Sequence, residues 1–176
     1  MKDMGEPRTS RVHLRAPQVR DLPVLEQWRS DPQAQLDLML RVTKTDRAEV
    51  ESWIARRTSD PEGDFRLVAA AEDDRAVGFV QLTKIHRASR RASLGLYVDP
   101  SVRGTGLASD ALARMEQVAR DQHGLRTIHL EVLVENERAL RFWEAQGYRR
   151  TGTLPDHYTR EGRTWAVALF EKQLET

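Results

Sequence analysis

Residues 98–109 read Val-Asp-Pro-Ser-Val-Arg-Gly-Thr-Gly-Leu-Ala-Ser, a strand-like end that passes through a glycine-spaced turn into the start of an amphipathic helix. The first N–H groups of a helix have no partner within it, and with the macrodipole they present roughly half a positive charge to whatever docks there. Gly104 and Gly106 lack the Cβ that would crowd an approaching oxygen and penalise positive φ. Arg103 adds a planar, permanent cation beside them. The segment Arg103, Gly104, Thr105, Gly106, Leu107, Ala108 and Ser109 therefore reads as an anion site, and the expected ligand carries a diphosphate.

Two better-known phosphate loops fit poorly. A dinucleotide-binding turn asks for a third glycine where Ser109 stands and for a turn directly after the strand, whereas Asp99 to Val102 intervene. A P-loop needs Lys followed by Ser or Thr after its second glycine, and here Leu107-Ala108 follows. The segment instead resembles the acetyl-CoA pyrophosphate loop of the GNAT superfamily of N-acetyltransferases. That pattern is Arg or Gln, two residues, Gly, one residue, then Gly or Ala, and Arg103, Gly106 and Ala108 fill it. Downstream, Leu130-Glu131-Val132 is followed by Asn136, Ala139, the aromatic pair Phe142-Trp143 and Gly147-Tyr148, similar to the family's second run. A finer likeness, to the branch containing ribosomal-protein α-amino acetyltransferases and spermidine N-acetyltransferases, covers most of the chain. It rests on Leu14-Arg15-Ala16, Asp21, Ser30-Asp31-Pro32, Gly78-Phe79-Val80, Arg90-Arg91-Ala92, Thr151-Gly152-Thr153-Leu154 and Glu161-Gly162.

Length and charge narrow the setting. A chain of 176 residues suits one domain with a substantial core, read as residues 11–176 behind a flexible N-terminus of residues 1–10. A formal net charge of +1, with acidic residues interspersed among the arginines, excludes a general nucleic-acid binder. No cysteine is present, which removes disulfides, thiolate nucleophiles and cysteine metal sites together, and no metal is expected. The N-terminus lacks the apolar stretch of a signal peptide and no run approaches a membrane span, so a cytoplasmic protein without membrane association is expected.

Periodicity supplies the elements. Val12 to Ala16 reads as a strand, and Leu22, Leu25 and Trp28 recur at helical spacing until Pro32 ends the run. Asp46 and Glu49 open a second helix carrying Val50, Trp53 and Ile54. Phe65 to Ala71 and Ala76 to Ile85 form a hairpin, and Ala92 to Val98 is the strand before the loop. The helix from Leu107 shows a broad apolar stripe and is capped by Gly124. Thr127 to Val134, a helix from Asn136 to Gln146, and strands near Tyr148 to Leu154 and Thr164 to Glu171 complete the chain. The expected fold is α/β: a mixed, mostly antiparallel sheet of six to seven strands with helices on both faces.

The resemblance implies more than this pattern does. It implies a splay between the fourth and fifth strands through which the pantetheine arm of acetyl-CoA threads. Backbone groups of Leu96, Tyr97 and Val98 would pair that arm, Asn136 would contact it, and Trp143 would wall it. The implied activity is direct acetyl transfer from acetyl-CoA to a primary amine, belonging to a small molecule or to a protein N-terminus. A noncatalytic acyl-CoA-binding sensor is the alternative, motivated by two departures from the family. Trp143 stands where many relatives have a tyrosine acid, and Ser93 where many have a strand glutamate. An N–H near Tyr97 is the expected oxyanion donor. Glu131, His129, His86 and His157 are candidate bases, and the leaving thiolate takes its proton from water, from the acceptor ammonium or from Tyr158. A polycation pocket should gather carboxylates; in the helical cap region only Asp31, Asp37, Glu49 and Glu51 cluster, and a solvated amphipathic surface explains them equally well. Edge strands between Tyr148 and Glu171 suit a homodimer.

Overall fold

Alternating burial sorts the apolar residues onto two faces of one sheet. In the computed structural model, which describes residues 10–174, the strands are β1 (Val12–Arg15), β2 (Asp64–Ala70), β3 (Ala76–His86), β4 (Arg91–Val98), β5 (Thr127–Leu133), β6 (Arg149–Arg160) and β7 (Arg163–Gln173). Their order is β1-β2-β3-β4-β5-β7-β6, and β4 with β5 is the one parallel neighbour pair. A parallel pair needs a crossover, supplied here by helix α4 (Leu107–Asp121). The other helices are α1 (Leu22–Ser30), α2 (Pro32–Asp37), α3 (Arg47–Thr58) and α5 (Glu137–Ala145). The seven-stranded mixed sheet with helices on both faces is the architecture expected from the sequence.

The expected splay is present. β4 and β5 face each other at Arg91–Thr127, Ala92–Ile128 and Ser93–His129 and then separate. Beyond that point β4 continues along β3 as far as Val98, and β5 continues along β7 as far as Leu133.

Each face has its own core. Ala111, Leu112, Met115, Val118 and Ala119 of α4 form the predicted stripe and pack with Ala92, Leu94, Ile128, Leu130 and Trp143. Leu112 and Met115 are almost wholly buried, so truncating either to Ala costs about 2–5 kcal/mol. On the opposite face Leu22, Leu25 and Trp28 of α1 and Val50 and Trp53 of α3 cover Phe65, Phe79 and Tyr97. A smaller cluster of Leu133, Trp165 and Val167 meets Leu36, Met39 and Tyr158.

Two expectations need correcting. Pro32 stops α1 but also starts α2: Asp31 leaves helical geometry at φ −72°, ψ 114°, and its Oδ1 accepts the Gln33 N–H at 2.9 Å. A proline in the first helical turn gives up an N–H that has no partner there anyway. β6 does not end at Leu154. It passes an irregularity between Leu154 and Tyr158, with Asp156 at φ 48°, and ends in a two-residue turn where Glu161 and Gly162 both have positive φ. His157 and Tyr158 therefore stand on a strand and not in a loop. Of the N-terminal segment expected to be flexible, residues 1–9 lie outside the described residues, and Ser10 Oγ accepts from Arg114 Nε at 2.8 Å. Among the described residues no helix is long and apolar enough to cross a membrane.

Candidate active site

The turn after β4 is built around one carboxylate. Asp99 Oδ1 accepts the Ser101 N–H at 2.8 Å and its hydroxyl at 2.6 Å, and Oδ2 accepts the Trp28 indole N–H at 2.6 Å. Burial alone would push this carboxyl up, but the hydrogen bonds from Ser101 and Trp28 outweigh it and hold it below the usual carboxylate range. A single 3₁₀ turn, Pro100–Val102, then delivers Arg103 and the two glycines, with Gly106 capping α4 at φ 86° and Gly104 at φ 75°.

The glycines do different jobs. A Cβ on Gly104 would meet nothing within 4 Å, which leaves the space an oxyanion needs. A Cβ on Gly106 would run into the Arg11 guanidinium. Arg11 lies across the loop, donating to the Thr105 carbonyl oxygen and pairing with Asp110 at 3.2 Å. Sequence reasoning missed Arg11, because it lies 95 residues upstream of Gly106 in an edge segment with no local signal.

Strand parity decides which backbone groups face the splay. The Asp99 N–H donates to the Val77 carbonyl oxygen at 2.8 Å, so Val77 and Asp99 form a hydrogen-bonded pair. Alternation along an antiparallel ladder gives the same character to Phe79 and Tyr97. The Tyr97 N–H and C=O thus point to β3, and a Cβ on Gly78 would collide with the Tyr97 oxygen. This corrects the assignment of the oxyanion donor to Tyr97. Leu96 and Val98 carry the groups that face the vacated side. The Tyr97 ring belongs to the opposite core, stacked on Phe79 at 5.4 Å and tilted against Trp28 at 5.4 Å. Burial, with Asp99 nearby, pushes its phenol up to about 12, too weak an acid to supply a proton at neutral pH.

A cavity of about 620 Å³ passes through the sheet at the splay. Towards α4 and α5 it is bordered by Leu96, Val98, Arg103, Gly104, Gly106, Ala108, Asn136 and Trp143. Asn136 caps α5, its Oδ1 accepting the Ala139 N–H at 3.1 Å, and this leaves the amide nitrogen to offer. Trp143 is held edge-on by Phe142 at 5.1 Å and Tyr148 at 5.0 Å. Thr105, Leu107 and Ser109 stand outside the lining. Thr105 Oγ1 donates to the Val102 carbonyl oxygen at 2.6 Å, Ser109 Oγ accepts from Gln146 at 3.0 Å, and Leu107 packs on the core under α4.

On the other side of the sheet the cavity is bordered by Asp37, Gln81, Glu131, His157 and Tyr158. Of the four candidate bases, Glu131 and His157 reach it. His129 sits in the closed part of the sheet, its imidazole pushed down by burial and by Arg91. His86 lies at a turn, where Nδ1 accepts the Ser89 N–H at 3.1 Å. Among the described residues the Tyr158 hydroxyl and the Gln81 Oε1 are both buried without a hydrogen-bond partner. Buried polar atoms are normally satisfied, so two orphans on one cavity wall suit a polar ligand. Gln81 was missed by sequence reasoning. Its signal is one polar residue inside the apolar run Val77 to Leu82.

The carboxylates considered for a polycation pocket do not gather. Asp31 caps α2, Glu49 accepts from Arg56 at 2.7 Å, Asp37 faces Arg138 at 3.9 Å, and Glu51 is exposed.

Comparison with known proteins bears on the family and the fold. The model of the acetyltransferase (GNAT) domain family matches residues 11–149. The uncharacterized N-acetyltransferase p20 of Bacillus licheniformis is 24% identical over 166 residues, 92% of each chain. Spermidine N(1)-acetyltransferase of Vibrio cholerae is 28% identical over 98 residues, 56% of this chain and 57% of that one. The crystal structure of spermidine N-acetyltransferase from Vibrio cholerae in complex with CoA and spermine superposes with a TM-score of 0.85 at 22% identity, covering 94% of this chain and 97% of that one.

Proposed function

The chain belongs to the acetyltransferase (GNAT) domain family of acetyl-CoA-dependent N-acetyltransferases, and on that premise we propose that it transfers acetyl directly to a primary amine held on the Gln81–Glu131–Tyr158 side of the sheet. The observation that carries this reading is the cavity's passage through the splay, with the glycine loop at one end and unpartnered polar groups at the other. The residues fit a CoA thioester: Gly104 leaves room for a phosphate oxygen, the α4 N-terminus offers unpaired N–H groups, and Leu96 and Val98 offer backbone groups to an extended arm. Acetyl-CoA supplies an activated carbonyl that an amine attacks without a covalent enzyme intermediate.

The remaining work falls to this chain. A free N–H of Leu96 or Val98 meets the developing oxyanion, preorganised by the β3–β4 ladder. Glu131 takes the proton from the attacking amine, directly or through water. Gln81 Oε1 accepts a hydrogen bond from the amine and orients it. Tyr158 donates its hydroxyl proton toward the leaving sulfur, the task Trp143 cannot perform because an indole N–H donates a hydrogen bond without giving up its proton. Arg103 and the loop hold the diphosphate, and Trp143 walls the arm.

How much the base matters depends on the acceptor. An alkyl amine with a pKa near 10.4 must spend about 4–5 kcal/mol to be neutral at pH 7, an α-amine near 8 only about 1. The dispersed carboxylates favour an acceptor with few positive charges over a polyamine. A cytoplasmic address and a homodimer belong to the same proposal, the dimer supported by the exposed outer strand β6. The test is CoA-thiol release from acetyl-CoA against polyamines, aminoglycosides, amino acids and peptides with free N-termini. Release with at least one class is expected. CoA binding without release from any of them would favour a noncatalytic sensor.

A further inference from the structure

Arg29, in the last turn of α1, is only 8% exposed, and its Nε is buried without a hydrogen-bond partner among the described residues. Its guanidinium lies 4.3 Å from the centre of the Trp53 ring. The opposing charge that acts on it is Glu49, which is already bonded to Arg56. A guanidinium stays charged at any physiological pH, so this is a buried cation waiting for an anion.

Arg29 borders a second cavity of about 400 Å³ that no part of the proposed chemistry uses. Arg41, Lys44, Arg56 and Arg57 line it too, against two carboxylates, Glu49 and Asp60. Five cations against two carboxylates, gathered in a concave site, describe an oxyanion receptor. Leu40, Trp53 and Arg57 border both cavities, so the two share a wall. That wall lies on the side of the sheet where Gln81 and Glu131 meet the acceptor.

We propose that this second cavity is an oxyanion subsite of the acceptor, with Arg29 as its buried anchor, and that the amine acetylated here carries a carboxylate or phosphate at a distance from its nitrogen. The inference rests on reading the first cavity as the site of acetyl transfer. A forked guanidinium preset on an aromatic face recognises either oxyanion in bidentate fashion with little ordering left to pay for. The same charges repel a polyamine.

Two measurements on the full chain test it. In the first, inorganic phosphate and acetate are titrated separately while tryptophan emission is followed, since Trp53 lies beneath Arg29. A saturable response is expected from at least one of them, lost in Arg29→Gln and weakened in Lys44→Gln, a change at an exposed position that leaves the core intact. Which anion saturates distinguishes a phosphate-bearing from a carboxylate-bearing acceptor. In the second, CoA release is compared for an amine bearing the anion and its amidated or dephosphorylated counterpart. Arg29→Gln is expected to raise KM for the anionic amine about tenfold while leaving kcat and the neutral counterpart unchanged. Absence of any saturable response, or a lower KM for polyamines than for anionic amines, would overturn the proposal. A saturable, Arg29-dependent response without CoA release from any amine would support the oxyanion site and overturn the acetyl-transfer reading.

Discussion

Ser93 of β4 and His129 of β5 are the last facing pair before the two strands part, and Glu131 stands one pleat further along β5 on the same face as His129. The position of the fork thus decides which residue of β5 borders the cavity. His129 is closed in by the sheet; Glu131 is not.

Glu131→Gln should lower kcat by about a hundredfold for an alkyl-amine acceptor at pH 7 and by much less for an α-amine, because only the former needs a strong driving force for deprotonation. Steady-state rates for the two acceptor classes, wild type beside variant, make the comparison. An equal loss for both would remove Glu131 from the base role.

Tyr158→Phe should act in opposite directions on stability and on rate. Its hydroxyl is buried without a partner among the described residues, so removing it relieves a desolvation cost of about 1 kcal/mol and should raise the thermal midpoint. If that hydroxyl protonates the leaving sulfur, kcat falls at the same time by about ten- to a hundredfold. A variant both more stable and fully active would show that the hydroxyl is not the acid.

Gly106→Val should weaken CoA binding by at least about tenfold and destabilise the chain by about 1–3 kcal/mol, since φ 86° suits glycine and the new side chain would displace Arg11. Arg11→Ala removes the strut without straining the backbone. It should leave the melting temperature nearly unchanged while loosening CoA binding a few fold, measured by calorimetric titration. Undiminished affinity in Gly106→Val would sink the assignment of the loop.

Acid should attack the joint between β1 and α1. Asp21 is 4% exposed and is gripped by Arg15 through two bonds of 2.7 and 2.8 Å. Burial alone would raise its carboxyl, but Arg15 and the Gln18 N–H more than offset this and hold it below its ordinary value. With the folded pKa below the unfolded value of about 3.9, the contribution is complete above that value and is lost as pH falls through the folded one. Asp21→Asn should cost about 3 kcal/mol at pH 7 and flatten the decline of the urea midpoint below about pH 4.

What could be read before folding followed the range of the interaction. The α4 stripe, the Asn136 cap and the pattern of Arg103, Gly106 and Ala108 are local signals: the stripe and the cap form as read, and the three residues stand on the turn into α4. Pro32 was half legible: its ring forbids continuing α1, but starting α2 depends on Asp31 turning out of the helix. The direction of the Tyr97 N–H was not legible at all. It depends on whether Val77 and Asp99 form a hydrogen-bonded or a non-bonded pair, a matter of register across 22 residues. Gln81 and Arg29 were hidden for a related reason. Each is a polar residue whose exposure is removed by a distant element, β4 for one and Trp53 of α3 for the other.

The sheet is two leaves, β1 to β4 and β5 to β7, stitched together along three residue pairs at one end. Near the open end the Trp28–Asp99 bond ties α1 to the turn that follows β4, so whatever tightens the loop also pulls on the helix that carries Arg29. The glycine loop and the helix that borders the second pocket are thus joined through a single indole, the clasp of the book.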